Sequence, residues 1–196
     1  MFRCVPLVFA VVLPFASVAC RTGAVAPGAT NAASGAPGLK IVERGETGPI
    51  TAIAARGSVL YAGTSRGLRR WDVASDEYET LGAPSGVTAV GVDDAGQAWV
   101  ATEGGVGRFV RAKAAAGQAA SETFEPLGGL ANISTIAPIA GGGACAGGGD
   151  GLFRWDGTSW APVGELRGVT SIDLDRDGRT AWVGTRALGF YQAEGD

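Results

Sequence analysis

The sequence contains no histidine. Imidazole is the usual base beside a serine or cysteine nucleophile and the commonest metal ligand, so Ser-His and Cys-His catalysis and imidazole-built metal centres are excluded at once. Cysteine is scarce, with only Cys4, Cys20 and Cys145, which rules out a disulfide framework. Charged residues make up 18% of the chain against 46% hydrophobic, so disorder throughout is excluded and a real core is affordable in 196 residues. The formal net charge of −3 offers no basic excess, which excludes a nucleic-acid or anionic-lipid binder. Long hydrophobic runs are also missing. Val5 to Val18 is apolar, but it is too short and too interrupted by proline for a good transmembrane helix.

That stretch instead reads as an export signal. Arg3 supplies the positive start, the apolar segment carries no charge, and Ala16-Ser17-Val18-Ala19 precedes Cys20. This resembles the lipobox of bacterial lipoproteins, which implies cleavage before Cys20, acylation of its thiol and amine, and a protein hung from a membrane surface without spanning it. An ordinary signal peptide cut near Ala19 is the plainer alternative. Residues 1–19 are thus expected to be a signal peptide, 20–38 a lipidated cysteine followed by a tether, and 39–196 a folded domain. Arg21 to Gly38 is almost all Ala, Gly, Pro, Thr and Ser, with a coil reach of roughly 25 Å for about 18 residues. Cys4 leaves with the signal and Cys20 takes lipid, so Cys145 stands alone. The expected address is extracytoplasmic, at the outer membrane or cell surface.

The domain repeats itself. Strand-like openings stand at Ile50-Thr51-Ala52-Ile53, Val87-Thr88-Ala89-Val90, Ile133-Ser134-Thr135-Ile136 and Val169-Thr170-Ser171-Ile172, spaced 37, 46 and 36 residues apart. In the second copy, Val87–Val92 is β-branched, Asp93 to Gly96 is turn chemistry, and Gln97 to Thr102 makes a second strand. Glu103-Gly104-Gly105 turns again, Val106 to Val110 is a third strand, and Phe124 to Gly128 a fourth. Pro126 fits only an outermost strand, where no neighbour needs its missing N–H. Apolar residues at both parities require cover on both faces, as radial stacking supplies. The expected fold is therefore all-β, a small β-propeller of four four-stranded blades.

Closure is legible too. Tyr78, Phe124 and Trp160 each lie nine residues before an opening, and so does Ile41 before Ile50. Ile41 to Arg44 is expected to be an N-terminal strand closing the last blade, which otherwise stops at a third strand, Gly189 to Gln192. The competing arrangement is two chains exchanging these clasps to build a larger ring. Ala54, Ala55, Ala137 and Ala140 suit inner strands near a narrow axis. Cys145 holds the slot of Tyr61, Trp99 and Trp182, so it reads as a small buried apolar residue.

Asp93-x-x-Gly96-x-x-Trp99-Val-Ala-Thr102 with Gly105-Val-Gly-Arg-Phe109 resembles the two-component regulator propeller repeat, as does Asp175-x-x-Gly178 leading to Trp182-Val-Gly-Thr185 and Gly189-Phe-Tyr191. Tyr61-Ala-Gly-Thr64 with Gly67-Leu-Arg-Arg-Trp-Asp72 matches as well, and Cys145-Ala-Gly-Gly148 with Gly151-Leu-Phe-Arg-Trp-Asp156 more weakly. The resemblance covers residues 41 to 192 and implies a periplasmic ligand-binding propeller, without naming a substrate. Trp71-Asp72 and Trp155-Asp156 resemble tryptophan-aspartate repeats, but Phe109-Val110 and Tyr191-Gln192 break that pattern, and packing of aromatics between blades accounts for all four.

Two sets of loops emerge at one end of a propeller, the usual ligand mouth. They gather Ser65, Arg66, Glu103, Asp150 and Arg186 from the turns after second strands, and Asn132, Glu165 and Arg167 from the crossovers. Mixed charge around a funnel suits a polar or zwitterionic ligand, such as a glycan or peptide. The plain alternative is solvated turns. The expected function is a membrane-anchored binding module for a protein or cell-envelope ligand, with no cofactor. A rival from another class is a propeller-type hydrolase or lyase using Glu103 and Asp150 as a carboxylate pair. Asp173-x-Asp175-x-Asp177-Gly178 imitates the front of a calcium loop, but the expected twelfth-position Glu is Gly184, which favours a hairpin turn over a metal site. Arg111 to Ser121 is an insertion read as a surface loop.

Overall fold

The computed structural model describes residues 49–82, 85–111, 121–175 and 178–194. Among them, fifteen strands form four antiparallel sheets, each a meander in chain order. The first sheet holds β1 (Ile50–Arg56), β2 (Val59–Thr64), β3 (Gly67–Asp72) and β4 (Glu77–Leu81). The second holds β5 (Val87–Val92), β6 (Ala98–Thr102), β7 (Gly105–Arg111) and β8 (Glu122–Pro126). The third holds β9 (Ile133–Ile139), β10 (Gly143–Gly148), β11 (Gly151–Trp155) and the short β12 (Trp160–Pro162). The fourth has three described strands, β13 (Val169–Leu174), β14 (Thr180–Thr185) and β15 (Gly189–Glu194). Consecutive sheets pack face to face, first on second, second on third, third on fourth.

The opening motif has a physical reason that the repeat pattern alone does not disclose. Each sheet carries a bulge one residue into its first strand, leaving Thr51, Thr88, Ser134 and Thr170 unpaired in the ladder. In the first and third sheets the freed side chain reaches the next sheet. Thr51 Oγ1 donates to Val87 O at 2.6 Å, and Ser134 Oγ to Val169 O at 2.9 Å.

The residue before the bulge is a knob. Val87 sits on Gly63 so closely that a Cβ there would overlap its Cγ1, and Val169 sits on Gly147 in the same way. Ile133 packs with Ala101. Alternate residues then divide between the two faces. In the second sheet Val87, Ala98, Val100 and Phe109 meet Tyr61 and Leu68 of the first, while Ala89, Trp99, Ala101 and Val106 meet Ile133, Ile136 and Trp155 of the third. Ile139, Cys145 and Leu152 meet Val169, Ala181 and Val183. Cys145 is buried in the slot held elsewhere by Tyr61 and Trp99, and burial pushes its thiol above the ordinary value, which makes it a poor nucleophile.

Asp93 is a buried carboxylate with every requirement met. Its Oδ1 accepts from Ala95 N at 3.0 Å and Gln97 N at 2.8 Å, closing the β5–β6 turn, and its Oδ2 accepts from Trp99 Nε1 at 3.1 Å. Gly96, at φ 79°, supplies the left-handed step of that turn.

Several expectations are refined. Ala140 lies in the turn after β9, not on an inner strand. The paired aromatics stack across third and fourth strands of one sheet rather than only between blades: Trp71 on Tyr78 at 5.3 Å, Phe109 on Phe124 at 5.4 Å, and Trp155 on Trp160 at 5.3 Å between centroids. All three are directly opposed partners in the ladder, where side chains come closest. Pro126 ends the outermost strand β8, as its missing N–H requires. Ile41 to Arg44, the signal and tether, and residues 112–120 of the insertion lie outside the described residues.

Filling a knob's seat should be costly. Gly63→Ala and Gly147→Ala are each expected to destabilise the fold by about 1–3 kcal/mol through overpacking, whereas Gly129→Ala, with open space at its Cβ, should stay within about 0.5 kcal/mol. Urea denaturation midpoints check this.

Candidate functional site: the loop end of the sheets

The turns after β2, β6, β10 and β14 and the crossovers between sheets lie together at one end, tied by main-chain hydrogen bonds. Gly86 N donates to Ser65 O at 3.0 Å and Glu103 N to Gly86 O at 3.2 Å. Further round, Gly149 N donates to Asn132 O at 3.1 Å, Gly168 N to Gly149 O at 3.1 Å and Arg186 N to Gly168 O at 2.8 Å. Each crossover thus bonds to the turn of its own sheet, and Gly86 and Gly168 also to that of the sheet before. The residue making this step is left-handed at each crossover, Gly86 at φ 73°, Asn132 at 56° and Gly168 at 65°. Asn is one of the few side-chain-bearing residues that tolerate that conformation.

Threonines lock the turns from below. Thr64 Oγ1 donates to Gly67 O at 2.9 Å and accepts from Arg66 N at 3.1 Å, and Thr102 does the same with Gly105 O and Gly104 N. Thr185 repeats it with Gly189 O and Leu188 N. Gly148 stands in this place in the third sheet.

On this frame the eight expected residues, Ser65, Arg66, Glu103, Asn132, Asp150, Glu165, Arg167 and Arg186, are all exposed. The structure joins some of them. Asn132 Nδ2 donates to Asp150 Oδ2 at 3.3 Å, and Asp150, Glu165 and Arg167 line one shallow groove beside Leu152 and Phe153. Arg186 is bonded through its main chain to Gly168, next to Arg167. Ser65, Arg66 and Glu103 belong to the first and second sheets, outside that groove. Glu103 packs its side chain against Gly86, and Asp150 turns to Asn132. Three guanidinium groups and three carboxylates therefore share a solvated rim, where contacts work through hydrogen bonds and each ion pair alone is weak.

The carboxylates of the apparent calcium loop behave as a hairpin. Asp173 lies within β13, Asp175 N donates to Thr180 O at 2.9 Å, and Gly178 N donates to Asp175 O at 2.9 Å. Asp177 lies outside the described residues.

A second polar cluster went unread in the sequence. At the opposite end, between the first two sheets, Arg56, Tyr61, Arg70, Gln97, Arg111 and Glu122 line a small cavity. Arg70 Nε lies 3.6 Å from Glu122 Oε1, its Nη1 donates to Glu79 Oε1 at 3.1 Å, and Tyr61 OH donates to Gly96 O at 3.3 Å. The Arg70 Nε and Glu122 Oε2 atoms are buried without a hydrogen-bond partner. Burial raises the Glu122 carboxyl above its usual range, with Arg70 pulling the other way. Burial also raises Tyr61, helped by the Glu122 charge. Burial works against Arg70, but Tyr61 and Glu122 outweigh it and strengthen its hold on the proton. A signal existed: Arg70 and Arg108 occupy one repeat position, each opposite a glutamate, Glu79 and Glu125. Glu122 itself, 52 residues on from Arg70, obeys no period.

No family model and no curated protein matches the chain. Solved structures do. The computationally designed Ika4 protein aligns with a TM-score of 0.59 and 18% identity over 78% of this chain and 94% of that one. The Cps50 (Swd1) β-propeller domain of Myceliophteria thermophila aligns at 0.56 and 16% over 76% of this chain and 52% of that one, and the designed Ika8 protein at 0.56 and 17% over 76% and 47%. The chain thus spans about half the length of the latter two. The fold is all-β and β-propeller-like.

Because its folded carboxyl titrates higher than the unfolded one, Glu122 favours the native state at low pH and loses that advantage as pH rises through the raised value. Glu122→Gln should match the parent at acidic pH and become relatively more stable as pH rises through and above the carboxylate range. Thermal melts across pH 4 to 8 would read the divergence.

Proposed function

We propose that this chain is a β-propeller lipoprotein of the cell envelope, held to a membrane through lipid on Cys20, and that it binds a protein or cell-envelope ligand at the loop end of its sheets. Its four sheets are blades, and Ile41 to Arg44 supply the missing outermost strand beside β15. The carrying observation is the rim itself: Arg66, Arg167, Arg186, Glu103, Asp150 and Glu165, all exposed, stand on turns fixed by main-chain bonds and threonine locks. Such a frame presents polar groups to a ligand without a cost for ordering the loops, leaving only the side chains to be fixed. The resemblance of the repeats to two-component regulator propellers supports an extracytoplasmic binding role.

Proximity labelling in intact cells would capture the partner. Replacing Arg66 and Arg186 together by alanine is then expected to weaken its binding tenfold or more, about 1.4 kcal/mol or above, with an unchanged melting temperature. Unchanged affinity would reject the rim as the site. Cys20→Ser is expected to move the protein from the membrane to the soluble fraction.

A further inference from the structure

The end faces of the stack carry unmatched halves of the same contact that joins its interior sheets. The opening residue is buried in three repeats, Val87 at 1%, Ile133 at 3% and Val169 at 2% exposure, each against the preceding sheet, but Ile50 of the first repeat is 49% exposed. The mid-strand aromatic slot shows the reverse pattern. Tyr61, Trp99 and Cys145, at 1%, 0% and 5%, are covered by the following sheet, while Trp182 of the fourth repeat is 46% exposed beside Phe190 at 75%. The first sheet therefore offers a knob with no seat. The fourth offers the equivalent glycine, Gly184, which no following sheet covers and against which Ser171 Oγ of its own sheet stands where Val87 and Val169 stand on Gly63 and Gly147. Of the bulge hydroxyls, Thr51 and Ser134 reach the next sheet, Ser134 touching Gly147 O of its own sheet as well, whereas Thr170 Oγ1 donates to Gly184 O of its own sheet at 3.3 Å.

These two faces are complementary, and within one chain they do not cover each other. Moreover, the stack aligns with about half of larger propellers, at 52% and 47% of their lengths. We propose that two copies of this chain join head to tail across a two-fold axis into a ring of eight sheets. Ile50 of each copy seats on Gly184 of the other, beside Trp182, as Ser171 turns its hydroxyl aside, and Thr170 bonds to Ile50 O of the other copy. Two identical junctions form at once, so the assembly closes and no apolar face is left. Pro49, lacking an N–H, forgoes the one crossover bond made by Gly86 and Gly168, which leaves the packing of Ile50, Ile53 and Trp182 to hold the junction.

Sedimentation equilibrium of the purified protein in mild detergent is expected to give twice the mass of a single processed chain. Ile53→Glu and Trp182→Glu each bury a charge at the junction but sit on open faces of the single chain, so each should yield a monomer with unaltered circular dichroism. Mixing an Ile50→Cys chain with a Thr170→Cys chain under mild oxidation should produce a 50–170 disulfide between chains, identified by peptide mass spectrometry. A monomeric parent, a dimer indifferent to both glutamates, mass growing with concentration beyond two chains, or a 50–170 link that forms only within a doubly substituted chain would each overturn the proposal.

Discussion

One contact organises this molecule: a β-branched residue at the start of the second, third and fourth sheets seated on a glycine or alanine of the sheet before. Full burial of a valine or isoleucine is worth about 1.5–3 kcal/mol, and its position, one residue ahead of a bulge, fixes the distance and rotation between sheets. Because Val87 lies on Gly63 and Val169 on Gly147 without room for another carbon, neither partner can change size independently. At two of the three joints the bulge threonine or serine adds a hydrogen bond across the same contact, so packing and polar satisfaction demand one arrangement there.

The loop end inherits its order from that joint. Once sheets are set, the crossover residue must turn left-handed to reach the neighbouring turn, and the main-chain bonds from Ser65 through Gly86 to Glu103, and from Asn132 through Gly149 and Gly168 to Arg186, follow. Side chains on this rim are free to vary in charge without disturbing the fold, since the frame uses main-chain atoms and buried threonine hydroxyls. That separation of frame from rim is what a binding surface needs.

Much of this was legible in the residues. The period, the strands and turns, the place of Pro126 and the burial of Cys145 all follow from patterns local to one repeat, where alternation and turn chemistry act. The loop end was also readable, because every repeat contributes the same position to it. The bulge role of Thr51 and Ser134 was not, since an unpaired ladder residue has no compositional mark. Nor was the Arg70–Glu122 pair, which joins different sheets at positions outside the repeat. Ala140 was placed one residue too far along its strand, where the glycines after it carry the turn. The exposure of Ile50 and Trp182 depends on the rotation between sheets, a geometric quantity that no single repeat encodes.

The outer strands add a directional consequence. The rim strands carry Glu77 and Glu79, Glu122, Glu125 and Pro126, and finally Pro162 in a strand of three residues. Carboxylates and ring nitrogens there discourage another backbone from zipping on sideways. Growth outward from these edges is thereby blunted, and the flat ends of the fan become the direction in which like can meet like.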